Sequence, residues 1–115
     1  MNPLITDEER ARLLANGQAC AAGQAIDPLP VVRLFTPDAH VTWLLSELDP
    51  IDGDTSFGLI DLGIGVPALG TAKLSDLAGI VGPNKQLVMR DRYFQATRPL
   101  SEYVRLAQEN GSITD

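Results

Sequence analysis

The middle of the chain, residues 31–73, is built from short apolar runs separated by turn residues, and this pattern constrains the fold more than any other feature. The runs are five or six residues long, which is typical of β-strands and too short for stable helices. Proline, glycine and aspartate occupy the gaps, and these residues favour tight turns. We therefore expect four strands joined by hairpin-length turns. They are Val31–Phe35, Val41–Ser46, Phe57–Leu62 and Leu69–Lys73.

Helical signals lie at both ends of the chain. Near the N-terminus, Thr6 and Glu9 have the spacing of a capping box, and Gly17 is expected to end the helix that follows. Near the C-terminus, Pro99 suits a first helical turn and Gly111 suits a helix stop. The apolar positions between them follow helical spacing and are Leu100, Tyr103, Val104 and Ala107. The pattern predicts one helix at each end.

Two weaker segments lie between the fourth strand and the last helix. Leu74–Gly79 is compatible with one helical turn capped by Ser75, and Leu87–Phe94 has the composition of a strand. A chain of 115 residues has the usual size of one domain, so we expect a single globular domain over residues 1–115. The predicted class is α+β, with a mainly antiparallel sheet of about four to five strands and an N-terminal and a C-terminal helix.

The composition of the chain indicates the cellular compartment in which we expect the protein. No apolar run approaches the roughly 20 residues that span a bilayer, and the N-terminus lacks the basic start and apolar core of a secretory signal. Cys20 is the only cysteine, which excludes an internal disulfide and a multi-cysteine metal site. We expect a cytoplasmic protein without membrane contact.

Charge is concentrated in one segment. Between Leu34 and Ala72 there are six acids and no Lys or Arg, whereas the other nine acids are matched by nine bases, so the formal charge of −6 belongs to this segment. We expect five of these acids to form an acidic binding surface, and they are Glu47, Asp49, Asp52, Asp54 and Asp61. The sequence pI near 4.6 opposes direct nucleic-acid binding, which requires a dominant basic face.

The stretch from Asp49 to Gly70 raises two ligand hypotheses, a calcium loop and a dinucleotide cradle. A calcium loop needs acids at alternate positions, then Gly, then a distant Glu, and this order is missing. Gly63–Ala68 matches G-x-G-x-x-A, but Pro67 and the strand-like residues after it do not start the helix that a pyrophosphate needs. We therefore expect solvated turns, with no metal and no cofactor.

The only histidine, His40, supports an alternative function. Asp38 would point to the same side of an extended segment and orient the imidazole as a general base, with Asp61 and a divalent ion as further partners. This pattern is compatible with a small metal-dependent or His-based enzyme or ligand-binding domain, and equally with a simple surface histidine. Cys20 lies among alanines without a nearby cation, which favours a small buried residue over a nucleophile.

A minor alternative is the binding of single-stranded nucleic acid. Arg90, Arg92 and Arg98 lie near Tyr93, and an aromatic ring beside arginines can stack a base. The competing interpretation is that the aromatic residues belong to the core. Those residues are Trp43, Tyr93 and Phe94.

Five motifs occur in order along nearly the whole chain. They are Pro30–Pro37, Thr42–Pro50, Phe57–Gly63, Pro67–Gly70 and Arg98–Tyr103. Together they resemble the bacterial family called domain of unknown function 2958 (DUF2958), although Ala68 stands where that family usually has Glu. The resemblance implies a setting on plasmids and other mobile genetic elements, often near anti-restriction genes. It implies no catalytic residues.

Charge and resemblance together predict a non-enzymatic acidic protein-binding module of a mobile element. Its partner would be a basic protein, such as a nuclease or another nucleic-acid-binding defence protein of the host. Clustered carboxylates attract such a surface and compete with the phosphates that it normally binds. The competing interpretation is an acidic surface that serves solubility.

Overall fold

The structure is a computed structural model that describes residues 4–24, 26–37, 39–80, 83 and 86–113. Within these ranges the helices are α1 (Asp7–Ala21), α2 (Leu74–Ala78) and α3 (Leu100–Asn110). The strands are β1 (Val32–Phe35), β2 (Thr42–Leu48), β3 (Thr55–Asp61), β4 (Ala68–Lys73) and β5 (Met89–Arg90). They form one sheet in the order β4-β3-β2-β1-β5, and every neighbouring pair is antiparallel. The predicted α+β class is confirmed.

Helices cover both faces of the sheet. Leu13 of α1 and Leu77 of α2 belong to one buried cluster, which also contains Trp43 and Leu45 of β2. Leu44, between them, belongs to a second cluster built around α3. Both faces of β2 are therefore buried, and α3 covers the second one.

Helix α1 shows where local sequence signals fail. The capping box of Thr6 and Glu9 is present, but Gly17 does not end the helix, which continues to Ala21. Gly17 is buried against β2, and a Cβ atom there would lie 1.7 Å from the carbonyl oxygen of Leu48. The glycine therefore permits close helix–strand packing and does not serve as a stop.

The two weaker segments also differ from expectation. Ser75 is not a cap, because α2 begins at Leu74 and its N-cap is Lys73. The strand predicted over Leu87–Phe94 is reduced to the two residues of β5. Asp91 ends it, since its carboxylate accepts a hydrogen bond from the Tyr93 amide at 3.0 Å and starts a turn. No helix in the described ranges is long and apolar enough to cross a membrane.

Candidate functional site

Three of the predicted acidic residues lie in the turn between β2 and β3, residues 49–54, here called the acidic turn. Asp49 Oδ1 accepts a hydrogen bond from the Ile51 amide at 2.8 Å. Asp52 Oδ1 accepts from the amides of Asp54 at 2.8 Å and Thr55 at 2.9 Å, and its Oδ2 accepts from the Thr55 hydroxyl at 2.6 Å. These hydrogen bonds, chiefly those from Thr55, lower the pKa of Asp52 to about 2. These hydrogen bonds fix the shape of the turn and favour the ionised form of Asp52.

Two helices hold the acidic turn in place. The Asp54 carboxylate accepts hydrogen bonds from the Ser75 amide at 2.9 Å and the Ser75 hydroxyl at 2.6 Å, which joins the turn to α2. On the other side, Arg10 Nη2 of α1 donates to the Gly53 carbonyl at 2.7 Å. Ile51 lies at the tip and is 93% exposed. The result is a fixed apolar tip flanked by carboxylates.

The structure does not bring Asp61 to this turn. Asp61 lies at the opposite end of β3, roughly 20 Å away by the rise of an extended strand. It is only 6% exposed, and its carboxylate accepts from the amides of Gly63 at 2.8 Å and Ile113 at 3.0 Å. Asp61 therefore fastens the β3–β4 loop to the segment after α3, which is a structural role.

Glu47 lies in an environment that differs from that of the acidic turn and from that of Asp61. Pairing between β2 and β3 shifts between Leu45 and Glu47, so that Glu47 lies opposite Phe57 and Ser46 becomes an extra residue in the strand. Such a bulge changes the direction of the side chains that follow it. Glu47 is half-buried, and no donor in the described part of the chain reaches its buried Oε2 atom.

His40 and Cys20, the two candidates for catalysis, line different clefts of the structure. His40 is exposed and shares a cleft of about 420 Å³ with Asp61, while Asp38 lies outside the described residues. Cys20 is exposed, so the expectation of a buried cysteine is wrong. Hydrogen bonding to Glu47 raises the pKa of the Cys20 thiol, which disfavours the nucleophilic thiolate. The described residues contain no group of three or more His, Cys, Asp or Glu side chains that could hold a metal ion.

Part of the predicted arginine and aromatic cluster is present. Tyr93 is 85% exposed, and the Arg92 guanidinium carbon lies 5.9 Å from the centre of its ring. Both line a cleft of about 330 Å³ with Arg33 and Arg90, although Arg90 is paired with Glu9 at 3.2 Å. The other predicted members lie elsewhere: Trp43 is in the core, Phe94 packs against the second cluster, and Arg98 is over the ring of Tyr103.

Sequence reasoning missed the exposed apolar residues. Ile51 is one of them, and three more lie in the β3–β4 loop, namely Leu62, Ile64 and Val66. Gly63 and Gly65 alternate with them at φ of 78° and 84°, as expected for turn glycines. The sequence signal for this exposed apolar surface is the alternation of apolar residues with glycine, which by itself predicts only a turn.

The fold and these surfaces define an α+β protein with one antiparallel sheet between helices and a rigid acidic turn at one end. The family described as protein of unknown function (DUF2958) matches residues 4–114 of the chain. The chain belongs to this family. No curated protein and no solved structure matches it.

Proposed function

We propose that this chain is a non-enzymatic protein-binding module that engages a basic protein surface through the acidic turn. The observation that carries the proposal is the 93% exposed Ile51, held in a turn whose aspartates are locked by hydrogen bonds. An exposed aliphatic tip supplies apolar contact area, and the carboxylates around it select a partner of opposite charge.

Rigidity supports this function. A loop that is ordered before binding loses little conformational freedom when the partner docks, so more of the contact energy appears as affinity. The low pKa of Asp52, about 2, keeps this carboxylate ionised at every physiological pH. Arg10 and Lys73 lie near the acidic turn. The electrostatic potential at this end of the molecule therefore depends on the geometry of the turn as well as on the number of its carboxylates.

The chemistry of the turn and the family resemblance support one class of partner. Carboxylates clustered in one turn attract a basic surface and can compete with the anionic groups that a nuclease or another nucleic-acid-binding protein contacts. The mobile-element setting implied by the resemblance suggests a host defence protein of this kind. We therefore propose an antagonist that occupies the nucleic-acid surface of a basic defence protein.

The test is affinity capture from a host lysate at low and high salt with variants that keep the turn folded. Replacing the three aspartates of the turn by asparagine removes charge but retains the Oδ1 acceptors. The second variant is Ile51→Ser. The matched control removes three charges on α1 and α3 and is Glu8→Gln, Glu102→Gln and Glu109→Gln.

We expect one basic protein to be captured by the unmodified chain and by the control, and to be lost with both turn variants and at high salt. Circular dichroism and a urea titration verify that each variant is folded. Equal recovery by the triple asparagine variant would refute the proposal. Equal loss with the control would also refute it, because it would show an effect of net charge alone.

A second candidate function, binding of single-stranded nucleic acid, is favoured by the exposed ring of Tyr93 beside Arg92. Arg33 lines the same cleft, where its Nη1 atom is paired with the Asp91 carboxylate at 3.2 Å. The measurement is fluorescence anisotropy of a labelled single-stranded oligonucleotide over a range of salt. Binding that Arg92→Gln weakens, and that the exposed control Arg12→Gln does not, would support it; a flat salt response would exclude it.

A further inference from the structure

A groove runs from the C-terminal end of α1 to the start of α3 and has Glu47 in its wall. Its larger part has a volume of about 440 Å³ and borders the acidic turn, and its smaller part has a volume of about 180 Å³ and borders α3. Both parts are lined by Cys20, Glu47 and Phe57, so they adjoin and are here called the Glu47 groove. A volume of this order is typical of pockets for small organic ligands.

The topology explains why the groove is open. Pairing between β1 and β2 ends at Leu45, and α1 continues along the following part of β2, where Asn16 Nδ2 donates to the Ser46 carbonyl at 2.8 Å. On β3 and β4, Phe57 lies opposite Thr71, and cross-strand partners project from the same face of a sheet. The row of Glu47, Phe57 and Thr71 therefore lies between the end of α1 and the start of α3.

The walls of the groove are mostly apolar. They include Pro50 and Ile51 in the larger part, and Leu69, Leu100 and Val104 in the smaller part. Three carboxylates line the groove: Glu47 in both parts, Asp49 in the larger part and Asp27 in the smaller part. Asp27 accepts hydrogen bonds from the amide and the hydroxyl of Ser101 in α3. Within the described residues Glu47 forms no ion pair with Lys or Arg, and its buried Oε2 atom has no donor.

Within the described residues the Glu47 carboxylate has no Lys or Arg partner in this mostly apolar groove, and this selects the chemistry of the ligand. A donor that carries a positive charge forms the strongest hydrogen bond with a carboxylate. A metal ion fits poorly, since hard cations need several oxygen ligands and the walls supply mainly carbon. An ammonium group on an apolar body fits both the carboxylate and the walls.

We propose that the Glu47 groove binds a small organic cation, with its ammonium group on the Glu47 carboxylate and its alkyl or aryl body against Phe57 and Leu69. This proposal does not depend on the protein-binding function of the acidic turn. Glu47 acts here as the binding residue for the cation. The Cys20 thiol, whose pKa Glu47 raises, stays protonated at the rim of the groove.

The experiment uses the full chain labelled with ¹⁵N and three probes: phenethylammonium, cyclohexylammonium and hexylammonium. Amide chemical shifts are followed during titration of each probe, and 2-phenylethanol is the matched neutral compound. We expect at least one ammonium probe to bind with shifts centred on the amides of Cys20, Glu47 and Phe57. The affinity for the alcohol should be at least about tenfold lower, because the alcohol lacks the charge-assisted hydrogen bond.

Two variants and one control make the test specific. Glu47→Gln removes the charge and should weaken the ammonium probe about tenfold. Thr71→Phe places a large ring in the groove from the exposed edge strand and should abolish binding without altering Glu47. Glu8→Gln, an exposed acid on α1, makes the same charge change and should leave the affinity unaltered.

The proposal is overturned by any of three results. They are no binding of all three probes at millimolar concentration, equal affinity for the alcohol, and shifts that Glu47→Gln and Thr71→Phe leave unchanged. If Glu47→Gln does not fold, the Thr71→Phe titration and the comparison with the alcohol decide the question.

Discussion

Replacing Gly17 by alanine tests how tightly α1 is packed on β2. A Cβ atom at this position would lie 1.7 Å from the Leu48 carbonyl oxygen and 2.9 Å from its carbonyl carbon. An unstrained contact is roughly 3.5 Å, so α1 must move by about 1.5 Å or more. That movement also disturbs the hydrogen bond from Asn16 to the Ser46 carbonyl, which is 2.8 Å long.

The magnitude follows from two opposing terms. Alanine favours a helix over glycine by about 1 kcal/mol, whereas overpacking a rigid contact costs about 1–3 kcal/mol and more when backbone atoms clash. Because the clash is with a backbone carbonyl, we expect Gly17→Ala to lower the free energy of unfolding by about 2 kcal/mol or more. Urea unfolding followed by circular dichroism should show the midpoint falling by roughly 1 M.

Gly79→Ala is the matched control for this substitution. Its Cβ atom would lie 3.6 Å from the nearest atom, the Asp76 carbonyl oxygen, and its φ of −95° suits any residue. The control should therefore leave the midpoint unchanged or raise it slightly, because alanine restricts the unfolded chain. If Gly17→Ala is as stable as this control, the close approach of α1 to β2 is refuted.

Three further predictions follow from the carboxylates. The pKa of Asp52 falls from 3.8 to about 2 on folding, so its contribution to stability is complete above pH 3.8 and is lost as the pH falls towards 2; acid titrations should show a steeper loss for the unmodified chain than for Asp52→Asn. Glu47→Met should raise the free energy of unfolding by about 1–2 kcal/mol in urea, since it removes a buried oxygen without a donor; a fall would contradict the geometry of Glu47. Asp61→Ala should lower it by about 2 kcal/mol and speed hydrogen exchange at the Ile113 amide, which loses its acceptor; unchanged exchange would show that this bond is unimportant.

Local signals in the sequence predicted the elements that depend on neighbouring residues. The capping box of Thr6 and Glu9 needs only a spacing of three residues, and it is present. Gly111 ends α3 with a left-handed φ of 73°, as its position after the amphipathic run predicts. Alternating apolar residues likewise located the four long strands to within a few residues of their observed bounds.

Features that depend on distant residues were beyond local reasoning. Gly17 resembles a helix stop in sequence, and only its contact with Leu48, 31 positions away, shows why glycine is needed there. The bulge at Ser46 is equally hidden, because it is defined by which residues of β3 pair with β2. Since the bulge sets the direction of Glu47, no pattern within β2 predicted the groove.

The acidic segment shows how one sequence feature divides in three dimensions. Its carboxylates are close in sequence, which predicts one surface, but Asp61 is the last residue of the seven-residue strand β3, whose first residue follows the acidic turn. The Asp61 carboxylate accepts hydrogen bonds from two backbone amides, and Glu47 lines a mostly apolar groove. Among the described carboxylates of this segment, those of the turn lie beside the exposed apolar tip. Charge along the chain therefore located the candidate surfaces, whereas strand pairing determined which carboxylates remain available to a partner.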